Sequence, residues 1–282
     1  DFEPFGKDHA EGSWPSGVDI AREVFDVEPP VPMVYEWFTL NGGALSSSSG
    51  NIITVDEVLD VLEVEVFRYF FTKNPKKQRD FDVERLDQLV DEFDRFEAAY
   101  FGELDDGDET FRARAERAYP FVVDAVREER VRIPYRFAAV LGMTDDADLR
   151  ETMARRSGHI PDDAPAWAVE GALERVGHAR EWARRTDNEY NYRLAESLPA
   201  VEVDEATAAA LDDLAAFVAD HDDGEEIQGE IYETAKRHDL DLGSFFTTGY
   251  RLFLDEAEGP RLGPLLAALD ESFVRQRLHR ER

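Results

Sequence analysis

Only two short stretches of this 282-residue chain read as β-strand, and both lie within its first forty residues. Residues 2–5 (FEPF) alternate, and residues 33–40 (MVYEWFTL) are β-branched, aromatic or large and apolar, the composition of a buried strand. Two strands do not make an independently stable open sheet. The missing strands must therefore come from elsewhere, and the first third reads as the end of an α/β sheet whose earlier strands precede Asp1. A chain that begins at Asp1, without methionine, looks like a piece of something longer.

Beyond the strands the spacing is helical. A helix is predicted over 18–27 (Ile20, Val24, Val27), stopped by the prolines of EPPVP. Thr54, with Glu57 three residues on, forms a capping box opening a further helix. Residues 64–72 follow as a short apolar helix, and Asp82 opens a long one whose stripe (Val83, Leu86, Val90, Phe93) keeps the 3.6 period until Gly102. More helices are expected at about 109–130, 134–142, 145–157, 164–185, 204–220, 224–238, 243–257 and 263–279, between Gly, Pro and Asp breaks.

Charge narrows the setting. Asp and Glu number 63 against 32 Lys and Arg, a net charge of −31, and only five of the basic residues are lysine. Acids dispersed through amphipathic segments, with few lysines, predict a protein of very salty cytoplasm. At molar salt the Debye length falls to about 3 Å, so an acidic surface does not exclude nucleic acid as a partner. The absence of cysteine removes disulfides, thiolate zinc sites and cysteine nucleophiles. His221 and His238 stand isolated, so no metal site is expected. No apolar run approaches the ~20 residues of a membrane span and no signal peptide is visible, which predicts a cytoplasmic protein without membrane partners.

Between the second strand and the capped helix lies NGGALSSSSGNIIT, residues 41–54. Ser/Gly tracts are usually flexible connectors, but a polar loop between a strand and a helix is also where backbone amides and a helix N-terminus bind anions. The loop lacks the lysine of a P-loop and is no dinucleotide fingerprint. With its preceding strand and following helix it resembles the second signature of class I aminoacyl-tRNA synthetases, the Lys-Met-Ser-Lys-Ser loop, matched by ALSSSSGN. Together with DFEPFGKDHA, NPKKQRDFD, DEFDRFEAAYF, EIQGEIYETAKRHDL and EGPRLGPLLAALDESFVRQRL, the chain resembles the class I lysyl-tRNA synthetases of archaea and some bacteria, along essentially its whole length.

That resemblance implies a mainly α chain. A C-terminal remnant of a Rossmann-like catalytic domain with the signature loop would occupy 1–53, a helical connecting region 54–102, and an all-α anticodon-binding domain 103–282. It implies lysine–tRNA ligase activity, with ATP and Mg2+ as substrate, no tightly bound cofactor, and L-lysine and tRNA(Lys) as partners. The family's enzymes are about twice this long, so the missing N-terminal half of the same polypeptide is a further implied partner. None of the six histidines lies in the first class signature, His-x-Gly-His, so the fragment alone is expected to be inactive.

By resemblance, Ser46, Ser47, Ser48 and Ser49 are the catalytic positions, and Gly6, Asp8, Ala44, Leu45, Gly50 and Asn51 bind ATP. His9 and Tyr35 would hold lysine. Ala44 and Ser49 stand where family members commonly carry lysines, so hydroxyls, loop amides, magnesium and the following helix's N-terminus would have to substitute. For RNA, Arg132, Tyr135 and Arg136 of RVRIPYR are the first candidates, and Lys73, Lys76, Lys77, Arg79 and Arg275, Arg277, Arg280, Arg282 form two further basic clusters. The missing signature and loop lysines leave open a non-catalytic tRNA-binding module derived from such an enzyme, or a class I synthetase for another amino acid such as glutamate.

Overall fold

The computed structural model describes residues 1–46, 48, 50–104, 108–127 and 130–280. The chain divides into two compact units, Asp1–Leu59 with Glu63–Val126, and Asp60–Leu62 with Arg127–Arg282. The sequence places a boundary at 102/103. The compact units instead divide after Val126, because the helix that follows Gly102 packs back on its predecessors.

In the first unit, β1 (Phe2–Gly6) and β2 (Val31–Tyr35) pair in parallel, Phe2 opposite Val31 and Gly6 opposite Tyr35. Their crossover holds α1 (Lys7–Ala10), α2 (Ser13–Asp19) and a π turn, Ile20–Val24, where the sequence predicts one helix over 18–27. The helix starts earlier because Pro15 stands in its first turn, where a missing N–H leaves no hydrogen bond unmade. All five residues of β2 are exposed, as are Phe2, Ile20, Val24, Phe25 and Val27. Parallel sheets are normally covered on both faces.

The predicted 33–40 strand is two strands in two sheets. The chain breaks at Glu36 and Trp37, where the Glu36 amide donates to the Pro75 carbonyl at 2.9 Å. Phe38–Leu40 then forms β3, antiparallel to β4 (Gly43–Ala44) and parallel to β5 (Arg79–Phe81). Strands of two and three residues are too short to show alternation, which is why β4 and β5 go unpredicted.

α3 (Val55–Val61), α4 (Val64–Thr72), α5 (Leu86–Phe101) and α6 (Glu109–Val122) follow. α4, α5 and α6 pack on one another around Val66, Tyr69, Val90, Phe93, Phe96 and Tyr119. The second sheet joins this core through rings: Phe70 meets Phe38 and Phe81 edge to face at 5.6 and 5.2 Å, a geometry that adds to the burial of each ring. Asp82 caps a 3-10 turn, Val83–Arg85, and the long helix begins only at Leu86.

The second unit is helical: α7 (Tyr135–Leu141), α8 (Ala147–Arg156), α9 (Ala166–Thr186), α10 (Glu205–Val218), α11 (Gly224–Arg237), α12 (Leu242–Leu254), α13 (Leu262–Ala268) and α14 (Glu271–Leu278). The abundant acids have local work here. Asp146, Asp204, Asp223, Asp241 and Asp270 each accept from backbone amides in the first turn of the helix that follows. Asp270 also explains why the predicted 263–279 helix is two: its cap ends α13 and starts α14. α11 and α13 cross closely at Gly263, whose amide donates to Gln228 Oε1 at 2.8 Å.

Candidate functional site

The serine loop follows directly on a fastened hairpin. Asn41 (φ 50°) and Gly42 (φ 75°) turn β3 into β4 with two successive left-handed residues, the pattern of a tight hairpin turn. The Asn-Gly pair is the sequence signal for this hairpin. Asn41 donates its amide to the Phe81 carbonyl (3.0 Å), and its Oδ1 accepts from the Val83 amide (2.9 Å). Asp80 Oδ1 accepts from the Gly42 amide (2.9 Å) and the Thr39 hydroxyl (2.6 Å).

The far side of the loop is closed as well. Ser46 and Asn51 form an antiparallel bridge, with the Ser46 amide donating to the Asn51 carbonyl at 2.9 Å. Asn51 Nδ2 donates to the carbonyls of Ala44 (2.9 Å) and Leu40 (3.3 Å). Asn51, expected at ATP, therefore contributes its side chain to the loop's own frame. Ser46 Oγ and Ser48 Oγ lie 3.0 Å apart, and Ala44, Leu45, Ser48 and Gly50 are exposed. Ser47 and Ser49 fall outside the described residues.

The capping box forms as predicted. The Glu57 amide donates to Thr54 Oγ1 (3.2 Å), and Glu57 Oε2 accepts from the Thr54 amide (2.7 Å). This corrects one expectation: with the Thr54 and Glu57 amides committed to the box and the carboxylates of Asp56 and Glu57 in its first turn, the start of α3 is unfavourable for an anion. Loop amides and serine hydroxyls remain as donors.

Behind the hairpin, Arg79 Nη1 donates to the carbonyls of Phe70 (2.5 Å), Phe71 (2.9 Å) and Lys73 (2.9 Å) at the end of α4, and burial pulls its pKa down. Lys73 Nζ pairs with Glu92 Oε2. Both residues were candidates for an RNA-facing basic cluster, and both are committed within the unit.

Gly6, Asp8 and Tyr35 meet at the carboxyl ends of the parallel pair β1 and β2. Asp8 Oδ1 stands 2.8 Å from where a Cβ on Gly6 would be, and the Tyr35 ring 3.9 Å from it. Open α/β sheets bind ligands at that end. His9 is exposed, its Nδ1 3.1 Å from Ser13 Oγ, and it lines a cavity of about 410 Å³ with Glu3, Phe5 and Trp14. Tyr35 does not line that cavity.

The basic candidates of the second unit separate sharply. Tyr135 is fully buried, its hydroxyl donating to the Val61 carbonyl and its ring 5.2 Å from Trp182, so it packs in the core and presents no face to a base. Arg136 is exposed and Arg132 half-buried, and Arg127 stacks over Trp167 at 4.9 Å. At the carboxyl end Arg277 is buried on the carbonyls of Ala195 and Ser197, while Arg275 pairs with Glu271 and Arg280 with Asp212. Arg282 lies outside the described residues.

With this geometry in view, residues 1–122 match the family model described as tRNA synthetases class I (K). A lysine–tRNA ligase of Natronomonas pharaonis is 73% identical over 283 residues, covering 100% of this chain and 52% of its own length. Those of Haloarcula marismortui (66% identical, 99% of this chain, 51% of the relative) and Pyrococcus horikoshii (34%, 100% and 56%) match in the same way. The chain belongs to the class I lysyl-tRNA synthetase family, and it spans about half the length of the curated relatives it matches. Among the described residues no helix is long and apolar enough to cross a membrane, and no group of three or more acidic or histidine side chains could hold a metal ion.

Proposed function

We propose that this chain is the carboxyl-terminal half of a lysine–tRNA ligase, which joins lysine to the α-phosphate of Mg2+-bound ATP and passes the lysyl group to tRNA(Lys). The observation that carries this reading is the bridged serine loop between the fastened β3–β4 hairpin and the capped start of α3, which supports its resemblance to the class's phosphate-handling loop. Rate in such a reaction comes from orientation and from donors aimed at charge developing on phosphate, and a hairpin anchored at both ends supplies a fixed frame for both. The serine hydroxyls (Ser46 to Ser49) and loop amides take the place of the two lysines that Ala44 and Ser49 lack. Asp8, beside Gly6, accepts from ribose hydroxyls, and His9 and Tyr35 face lysine.

The exposed β1–β2 pair supports continuation of the sheet into strands supplied by the other half of the polypeptide. The catalytic remnant then covers 1–53, the connecting helices continue from 54 through α6, and the tRNA-binding helices lie in the second unit, with Arg132 and Arg136 as RNA contacts. Such an enzyme works in the cytoplasm, where charged tRNA is used.

The test is lysine-dependent exchange of pyrophosphate into ATP by the intact polypeptide, in molar KCl. Exchange with lysine is expected, and the Ser46→Ala/Ser48→Ala double variant should run about 10²-fold slower, the effect of removing a donor from a developing oxyanion. The reading fails if the intact polypeptide exchanges with glutamate and not lysine. Tight tRNA(Lys) binding without any exchange would favour the non-catalytic tRNA-binding module, the alternative motivated by the two absent loop lysines.

A further inference from the structure

We propose that Asp80 is a positioning residue for ATP activation: it holds the Asn41–Gly42 turn, from which the serine loop follows, against β5 without touching substrate. The proposal rests on the ligase reading above. Asp80 lies on β5, 38 residues beyond Gly42 in sequence, and one carboxylate oxygen takes two donors from the hairpin, the Gly42 amide at the turn and the Thr39 hydroxyl on β3. Neighbouring residues fix β5 in turn. Arg79 gathers three carbonyls at the end of α4, and Phe81 is buried against Phe70. The chain of contacts therefore runs from the aromatic core through β5 to the turn that starts the loop.

Stability alone gives a poor account of these bonds. Asp80 is exposed, and bonds made in water-accessible settings contribute little net free energy each. The hairpin would close without Asp80, since the Asn41–Gly42 turn, the β3–β4 pairing and the Asn51 amide bonds remain. What Asp80 adds is a second tie between the turn and β5, holding Gly42 where the Asn41 amide already reaches the Phe81 carbonyl. A loop that orients phosphates depends on that tie, because a displacement of about 1 Å in a positioned group can cost 10²-fold in rate.

The measurement is pyrophosphate exchange by the intact polypeptide and its Asp80→Ala, Asp80→Asn and Thr39→Val variants, with kcat and the KM values for ATP and lysine resolved separately. Asp80→Ala should lower kcat/KM for ATP by about 10- to 100-fold, with the KM for lysine and the thermal midpoint close to wild type. Asp80→Asn, whose amide oxygen still accepts both bonds, should recover most of that loss. Thr39→Val removes only the hydroxyl and should fall between wild type and Asp80→Ala; it also keeps the idea testable should Asp80→Ala fail to fold. A wild-type kcat/KM for ATP in Thr39→Val or Asp80→Ala would overturn the role of Asp80 while leaving the ligase reading intact. So would a loss explained wholly by a smaller folded fraction with unchanged constants. If the unmodified polypeptide shows no exchange, the ligase reading falls and takes this role with it.

Discussion

Arg277 shows how a charged residue's role is settled by burial. The residue is 5% exposed, and its guanidinium donates to the carbonyls of Ser197 and Ala195 and lies over the Phe273 ring at 4.9 Å, with its pKa pulled down by desolvation. In sequence it is one of four closely spaced arginines and reads as RNA-facing; in the fold it holds the 195–197 segment against α12 and α14. Replacing it with methionine should destabilise the second unit by about 1–3 kcal/mol, since the part-buried carbonyls of Ala195 and Ser197 lose their charged donor. Urea unfolding followed by tryptophan fluorescence would read this, and the folded variant's tRNA affinity should stay unchanged. Tyr135 and Arg79 carry the same lesson. Residue type and spacing reveal which groups could bind RNA, but not which ones the core has already taken, because that depends on contacts such as Val61 with Tyr135, 74 positions apart. By contrast Thr54 and Glu57 were legible, since a capping box is complete within four residues.

At the scale of elements, helices were read well and strands poorly. Helical periodicity needs a dozen residues and α5, α10 and α11 supply them, whereas β4 and β5, at two and three residues, are too short to show repeated alternation. The break at Glu36–Trp37 was hidden because both flanking segments are apolar, and only the Pro75 carbonyl, far along the chain, shows why one strand becomes two. Close helix crossings are similarly invisible until the partner is known. Gly263 sits where a Cβ would lie 2.4 Å from the Gln228 amide nitrogen and 2.5 Å from the Gly224 carbonyl oxygen, both backbone atoms that cannot rotate away. Gly263→Ala should therefore force α11 and α13 apart and lower stability by about 1–3 kcal/mol, the usual range for overpacking. Gly229→Ala, on the same α11 with nothing within 4 Å of its added methyl, is the control and should be neutral or slightly stabilising in the same denaturation series.

For the molecule as a whole, the decisive quantity is charge. A net −31 on 282 residues sets carboxylates against one another over the surface, and the ion pairs between arginine and acid, such as those of Arg180 and Arg193 with Asp145, compensate only locally. Repulsion of this kind acts at long range in dilute salt and is cut off as the Debye length shortens from about 10 Å at 0.1 M to about 3 Å at 1 M. The same screening weakens the exposed ion pairs, but each of those contributes at most about 1 kcal/mol, while the unpaired excess of acids acts together against the compact state. The relatives from halophilic organisms, 73% and 66% identical, place the sequence in that chemistry. Raising KCl from ~0.1 M to ~1 M should therefore raise the thermal midpoint steeply, most of the gain arriving by ~1 M, where the screening length has fallen below the spacing of surface charges. Potassium sulfate at matched ionic strength should act at least as well, because sulfate also strengthens apolar burial. A midpoint that stayed flat or fell across the KCl series would show that local pairing, not screened repulsion, governs the fold, and the link between this composition and salty cytoplasm would be lost.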